Sequence, residues 1–272
     1  MIPNNFIIRS HLARKESVEA VEETLADLYK DYLPLEDYFE SKIIKPSKLR
    51  GKSIDELTRI TEDAIEETSQ FLGIIPDEKP KIIISPKGIF SPLLDFFRSE
   101  KILGQYNDED KTIQINSTGS LESLFSVASH EYTHFLQHKT LGKIFADAKE
   151  SLSDFLEGHA VGVQNSVART VSDATGNQML KYKALSSEAE YLKRAYLYYA
   201  DLLNISIRGS LMKDPLGIFM QEFYDDMDEC GNVLDEYTVG TVYFKILEKT
   251  EGPAVYRRML LPEKACENPL KI

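Results

Sequence analysis

The sequence predicts a predominantly helical α+β protein, with a small sheet beside one central helix and a helical C-terminal part. Most of the chain repeats apolar residues at the three- and four-residue spacing of helices. One region, residues 80–116, instead carries short β-branched runs between prolines and polar turns, which is typical of strands. The composition, 42% hydrophobic and 28% charged, is that of an ordinary folded protein.

Two helices are predicted ahead of the strands. Apolar residues at helical spacing indicate an amphipathic helix at Glu16–Tyr32. A second helix begins after Ser53, because Ser53 and Glu56 form a capping-box sequence, and it ends at Gly73. With 272 residues available, we expect a helical N-terminal region at 1–75 and a functional domain at 76–272, either separate or packed as one compact unit.

The strand region is predicted to hold one buried strand and one hairpin. Lys81–Ser85 is a β-branched run, and one or two helical turns are expected at Pro92–Ser99. Leu103–Tyr106 and Thr112–Asn116 then flank the polar tip Asn107–Asp110, as in a hairpin.

The rest of the chain is predicted to be helical. The central helix runs from about Ser120 to His138, and it carries enough apolar residues to be buried. Further helices are expected at about Phe145–Val171, Leu234–Lys249 and Pro253–Leu260, and the chain beyond Gly176 is expected to be mostly helical, with Glu188–Asn204 the clearest piece.

Charge and cysteine content limit the partners and the location. Lys and Arg number 32 against 44 Asp and Glu, and the net charge of −12 opposes binding to nucleic acid or an anionic membrane. The sequence has no secretory signal pattern at its start and no apolar run long enough to span a membrane. Cys230 and Cys266 are widely separated, which suits a reducing cytoplasm. We therefore expect a cytoplasmic protein; the oligomeric state is not indicated.

The central helix carries the sequence HExxH. His130 and His134 lie one turn apart on the same face, so two imidazoles can meet one metal ion, and zinc suits such a pair. Glu131 projects about 100° away from His130, where it can reach a water in an open position and act as a general base. Four of the five histidines fall within residues 130–159, which favours a metal site.

A third ligand is required, and two residues compete for the role. His138 extends the histidine face by another turn, but a straight helix carries it away from an ion held by the first two. Glu157 lies on the next helix, where Gly158 and Ala160 would allow a close approach.

The segment Glu157-Gly158-His159-Ala160 resembles the gluzincins, zinc peptidases of thermolysin and aminopeptidase-N type, in which an HExxH helix is followed by a glutamate ligand often written Glu-Gly-x-Ala. The resemblance implies a thermolysin-like catalytic core, one zinc ion, Glu157 as third ligand, a peptide or protein substrate and peptide-bond hydrolysis. It also implies that the hairpin supplies an edge strand along which an extended substrate pairs.

Two further features bear on that resemblance. Tyr237-Thr238-Val239-Gly240 is similar to the Tyr-x-x-Gly of the aminopeptidase-N-like branch, which implies that the Tyr237 hydroxyl stabilises an oxyanion; core packing is the alternative. The Gly-x-Met-Glu-Asn element that anchors a free amino terminus is absent, which favours an endopeptidase.

The sequence also departs from the family pattern. Twenty-two residues separate His134 from Glu157, more than is usual, and Val161 stands where thermolysin-like enzymes place an aspartate that orients a histidine ligand. Asp154, one turn before Glu157, is a substitute for that aspartate. Two rival functions stay open: an inactive zinc-binding module that holds a peptide or protein, and a metal-free helical protein.

Overall fold

The computed structural model describes residues 47, 49, 51–86, 104–117, 120–143, 145, 153–202 and 235–261. Over this part of the chain the protein is mostly helical with one three-stranded sheet, which confirms the α+β prediction. The helix predicted at Glu16–Tyr32, the turns at Pro92–Ser99, and Cys230 and Cys266 lie outside the described residues.

Helix α1 spans Ile54–Leu72, as the capping sequence predicts. The Ser53 hydroxyl accepts a hydrogen bond from the Glu56 amide at 3.2 Å, and the Glu56 carboxylate accepts one from the Ser53 amide at 2.9 Å. At the other end Gly73 adopts a left-handed conformation with φ of 61°, which terminates the helix.

The sheet has the strand order β1-β3-β2. Strands β2 and β3 form the predicted antiparallel hairpin, and β1 lies parallel to β3 on its other side. Ile113 and Ile115 of β3 are buried while Gln114 between them is exposed, so one face of the sheet packs into the core. The bounds of the strands are Lys81–Pro86 for β1, Gly104–Asn107 for β2 and Thr112–Ser117 for β3.

Helix α2, Leu121–Leu141, carries the HExxH sequence and lies between α1 and the sheet. It begins as predicted, because the Ser120 hydroxyl accepts a hydrogen bond from the Ser123 amide at 3.2 Å, and it ends three residues later than expected. Toward the sheet, the ring of Phe135 meets that of Tyr106 edge to face at 5.9 Å. The helix is therefore central, and its burial holds its side chains in fixed positions.

Within the described residues four helices follow α2, in agreement with the mostly helical pattern predicted beyond Gly176. Gly176, with φ of 74°, ends α3, and the side chain of Asn177 accepts a hydrogen bond from the Leu180 amide at 3.2 Å. This cap starts α4 at Gln178, ten residues before Glu188, where the clearest predicted helical piece begins. The bounds are Ser153–Thr175 for α3, Gln178–Leu202 for α4, Glu236–Glu251 for α5 and Ala254–Met259 for α6.

A buried ion network joins these four helices. Arg169 of α3 pairs with Glu188 of α4 and, at 2.9 Å, with Glu248 of α5. Lys245 contacts Glu188 at 3.3 Å and Glu248 at 2.6 Å, and the Tyr256 hydroxyl of α6 donates to Glu248 at 3.1 Å. The Glu188 side chain is fully buried, so its charge depends on these partners.

Helices α3 and α5 cross at a pair of glycines. A Cβ built on Gly240 would lie 2.6 Å from the Cα of Gly158 and 1.8 Å from the carbonyl oxygen of Asp154. Any side chain at either glycine would force the helices apart. This contact fixes the distance between the start of α5 and the early turns of α3.

Residues of α1 share one hydrophobic cluster with α2, α3, α5 and the sheet. The domain boundary predicted near residue 76 stays a prediction. None of the helices in the described part of the chain combines the length and apolar character needed to cross a membrane.

Candidate metal centre

Three of the predicted ligands come together at one point. The Nε2 atoms of His130 and His134 lie 3.1 Å apart, as their positions one turn apart on α2 require. The Oε2 atom of Glu157, on α3, lies 3.1 Å from His130 Nε2 and 3.3 Å from His134 Nε2. The three side chains are 12–20% exposed, so they are enclosed but reachable from one side.

The donor set fits a divalent metal ion. A tetrahedral zinc site with bonds of about 2.0–2.1 Å sets its donors about 3.3 Å apart, close to the spacing of these three atoms. Two imidazoles and one carboxylate are a ligand set used by catalytic zinc, although other divalent transition metals accept it as well. The geometry therefore supports a metal centre without selecting the metal.

The same three groups strongly perturb one another electrostatically. Burial raises the pKa of Glu157, but the hydrogen bonds and charges of His130 and His134 outweigh it and hold the pKa well below its usual range. Burial lowers the pKa of His134, yet the hydrogen bond and charge of Glu157 reverse this and raise it to about 9. Without a metal, the site is thus a buried ion pair between an imidazolium and a carboxylate.

Glu131, the predicted base, borders the same cavity as the three donors and is itself only 7% exposed. Gly104 of β2 lies directly against it. A Cβ on Gly104 would stand 2.9 Å from both Cγ and Oε1 of Glu131 and 2.4 Å from Cγ1 of Val127. The absence of a side chain at Gly104 is what lets β2 run alongside the carboxylate.

Tyr237, in the first turn of α5, also borders this cavity. Its ring lies 6.3 Å from that of His130 at an angle of 30°. Asp235 caps α5 by accepting a hydrogen bond from the Thr238 amide at 2.7 Å, and Gly240 meets Gly158 one turn later. The cap and the glycine contact together hold Tyr237 at the site.

The cavity has a volume of about 240 Å³, and one of its walls is strand β2, through Gly104, Gln105 and Tyr106. Strand β3 pairs with one edge of β2. Among the described strands none pairs with the other edge of β2. At the far side Phe145 and Leu156 provide an apolar wall.

His138 lies away from the cluster. Its Nδ1 atom is 2.8 Å from the Tyr106 hydroxyl, and its ring stacks on Phe145 at 5.4 Å. It therefore does not compete with Glu157 for the third ligand position. Asp154, the predicted substitute for the missing aspartate, is buried one turn before Glu157, and its orienting role stays a prediction.

Sequence reasoning missed two residues around His134. Gln137 accepts at Oε1 from His134 Nδ1, at 2.8 Å. Its amide nitrogen lies 3.0 Å from Nδ1 of His159, whose Nε2 donates to the Tyr256 carbonyl at 2.8 Å. Burial lowers the pKa of His159 to about 4, so it is neutral near pH 7. The i,i+3 spacing of His134 and Gln137 was the one available signal.

No protein-family model, curated protein or solved structure matches the chain. The likeness to gluzincins consequently rests on short motif segments, namely His130–His134, Glu157–Ala160 and Tyr237–Gly240. Function must be argued from the chemistry of the site itself.

Proposed function

We propose that the protein is a zinc-dependent peptidase of gluzincin type with a thermolysin-like catalytic core. The observation that carries the proposal is the convergence of the ligand triad His130, His134 and Glu157 with Glu131 on one cavity. A metal-storage or purely structural site does not require a buried carboxylate such as that of Glu131 beside an open ligand position.

The chemistry divides between the metal and the chain. His130, His134 and Glu157 would hold the zinc ion, which would supply Lewis-acid chemistry that polarises the scissile carbonyl and lowers the pKa of a nearby water to about 7. Glu131 takes one proton from the attacking water as the water oxygen bonds to the carbonyl carbon. Glu131 then passes that proton to the amide nitrogen as the C–N bond breaks, which regenerates the carboxylate and releases an acid and an amine.

Tyr237 is proposed to donate its hydroxyl hydrogen to the oxyanion of the tetrahedral intermediate. Its support is its place at the cavity wall near His130. The sequence likeness to Tyr-x-x-Gly points the same way, and the Gly158–Gly240 contact explains why a glycine follows one turn later.

We propose an extended peptide as the substrate, paired by backbone hydrogen bonds with the edge of β2 that no described strand occupies. The net charge of −12 favours neutral or basic peptides over nucleic acid. An endopeptidase is favoured because the amino-terminus anchor is absent from the sequence. The two separated cysteines, Cys230 and Cys266, support a cytoplasmic location.

The test is digestion of a peptide library by the zinc-loaded chain, with products identified by mass spectrometry. We expect Glu131→Gln to keep its zinc and lose at least about 100-fold in cleavage rate. Glu62→Gln, the same change at an exposed position of α1, should cleave like the wild type. Equal cleavage by Glu131→Gln contradicts the base assignment, while a zinc-loaded chain that cleaves nothing favours the interaction module.

A further inference from the structure

Hydrogen-bond directions around His134 are determined by two backbone carbonyls, which can only accept. The Tyr256 carbonyl lies 2.8 Å from His159 Nε2, so Nε2 carries a hydrogen. The Leu156 carbonyl lies 2.9 Å from the side-chain nitrogen of Gln137, so that nitrogen is the donor. Turning the amide over would place two acceptor oxygens against each other.

The Gln137 amide group therefore has only one arrangement. Its two N–H groups donate hydrogen bonds to the Leu156 carbonyl and to the Nδ1 atom of His159, 3.0 Å away. Its oxygen then faces His134 Nδ1 at 2.8 Å and can only accept, so Nδ1 carries a hydrogen. The remaining nitrogen of His134, Nε2, is the one that faces His130 and Glu157.

The last acceptor in this series of hydrogen bonds is the backbone carbonyl of Tyr256, whose position is set by helix α6. Helix α6 spans only Ala254–Met259, so the carbonyl of Tyr256 is among the last four, which lack helical partners. The amide of Leu260 bonds to Arg257 instead, which leaves the Tyr256 carbonyl to His159. Gln137 and His159 are each 1% exposed, so water does not replace any of these partners.

We propose that Gln137 and His159 are positioning residues that commit His134 to metal binding through Nε2. The chain of bonds from Tyr256 through His159 and Gln137 keeps the hydrogen of His134 on Nδ1. It fixes the ring orientation and leaves Nε2 as the nitrogen that would give up its proton and bind the metal. A histidine whose ring orientation and tautomer are fixed by hydrogen bonds binds metal more tightly than one in which either nitrogen can carry the hydrogen. The inference rests on the metal centre of the proposed function and is independent of peptide hydrolysis.

The first test needs no variant and no metal. Proton–nitrogen correlation spectra of the isotope-labelled full chain should show His159 with a hydrogen on Nε2 and a bare Nδ1. They should also show a slowly exchanging hydrogen on His134 Nδ1. A hydrogen on His159 Nδ1, or rapid exchange at His134 Nδ1, overturns the proposal. The spectra give this result whether or not the chain binds zinc or cleaves peptides.

The second test measures zinc affinity by competition with a chelator. Gln137→Met keeps the length of the side chain and removes both its donor and its acceptor, so we expect zinc to bind about 10- to 100-fold more weakly. The spectra of this variant should lose the protected Nδ1 hydrogen of His134. His138→Gln is the matched control, because His138 lies on the same helix but bonds to Tyr106. Unchanged affinity and an unchanged His134 signal in Gln137→Met overturn the proposal.

Discussion

Gly158 and Gly240 face each other across α3 and α5, with less than the width of a methyl group between the two backbones. Glu157 immediately precedes the first glycine, and Tyr237 lies one turn before the second. The contact therefore sets the distance between a proposed metal ligand and the proposed oxyanion donor. It also explains two glycines that a helix would otherwise disfavour.

Gly240→Ala tests this contact. In an ordinary helix the change stabilises by about 1 kcal/mol, because alanine is the better helix former. Here the added carbon would overlap the Asp154 carbonyl oxygen, so we expect a loss of about 1–3 kcal/mol in the free energy of unfolding. Urea denaturation measures it, and a variant as stable as the wild type would show that the helices do not approach this closely.

Gly104→Ala separates catalysis from metal binding. The new methyl group would press on Val127 and Glu131, to which its three nearest atoms belong. We expect a zinc content equal to that of the wild type and a cleavage rate at least about 10-fold lower, because a small misplacement of a general base is costly. Gln114→Ala, at an exposed position of the neighbouring strand, is the control. A loss of zinc in Gly104→Ala would contradict this separation.

Removal of a ligand should abolish metal binding. Glu157→Ala leaves the two histidines without the carboxylate that completes the triad. We expect zinc, measured by plasma emission, to fall from about one ion per chain to a small fraction of that. His138→Ala, which removes a histidine of the same helix outside the triad, should keep its zinc. Full zinc content in Glu157→Ala would remove this residue from the site.

The metal-free protein should lose stability in mild alkali. The pKa of His134 is raised to about 9 in the folded state, against an ordinary value of 6.5. The folded state then holds more protons than the unfolded state over this interval, so the free energy of unfolding falls as pH rises from about 6.5 to about 9, by on the order of 2 kcal/mol. Denaturation with a chelator present measures it, and a flat profile contradicts the buried ion pair.

Glu188→Ala tests the buried ion network. The variant removes one of the two carboxylates that Arg169 and Lys245 share, leaving Glu248, and we expect a loss of about 3–5 kcal/mol in the free energy of unfolding. Glu190→Ala is a matched control on the same helix, because Glu190 pairs with Arg194 at the surface and such pairs contribute less than about 1 kcal/mol. Equal effects of the two changes would show that the network does not stabilise the fold.

Local patterns in the sequence were enough to predict much of the fold and the pairing of two residues of the site. The capping box at Ser53, the turn glycine Gly73 and the hairpin pattern each depend on neighbouring residues, and the structure has all three. The pairing of His130 with His134 follows from helical geometry alone. The helical pattern beyond Gly176 is also found in the structure, and the cap at Asn177 that starts α4 is a detail the sequence reasoning did not include.

Long-range relationships could not be predicted in this way. Glu157 reaches the histidines only because α3 packs on α2, and its role came from a motif likeness rather than from spacing. Gln137 has no local signal besides its spacing from His134, and its bond to His159 spans 22 residues. Such contacts depend on tertiary packing, which one sequence does not encode in any local pattern.

The short helix α6 lies late in the sequence, and this position affects the order in which the site can form during synthesis. Tyr256 follows Glu157 by 99 residues (256 − 157), so all three proposed ligands are synthesised long before the carbonyl that accepts from His159. Chains fold from the N-terminus as they emerge. A nascent chain can therefore bring His130, His134 and Glu157 together while the hydrogen on His134 is still free to move. If the proposed positioning role is correct, full metal affinity is acquired only when α6 packs against α3.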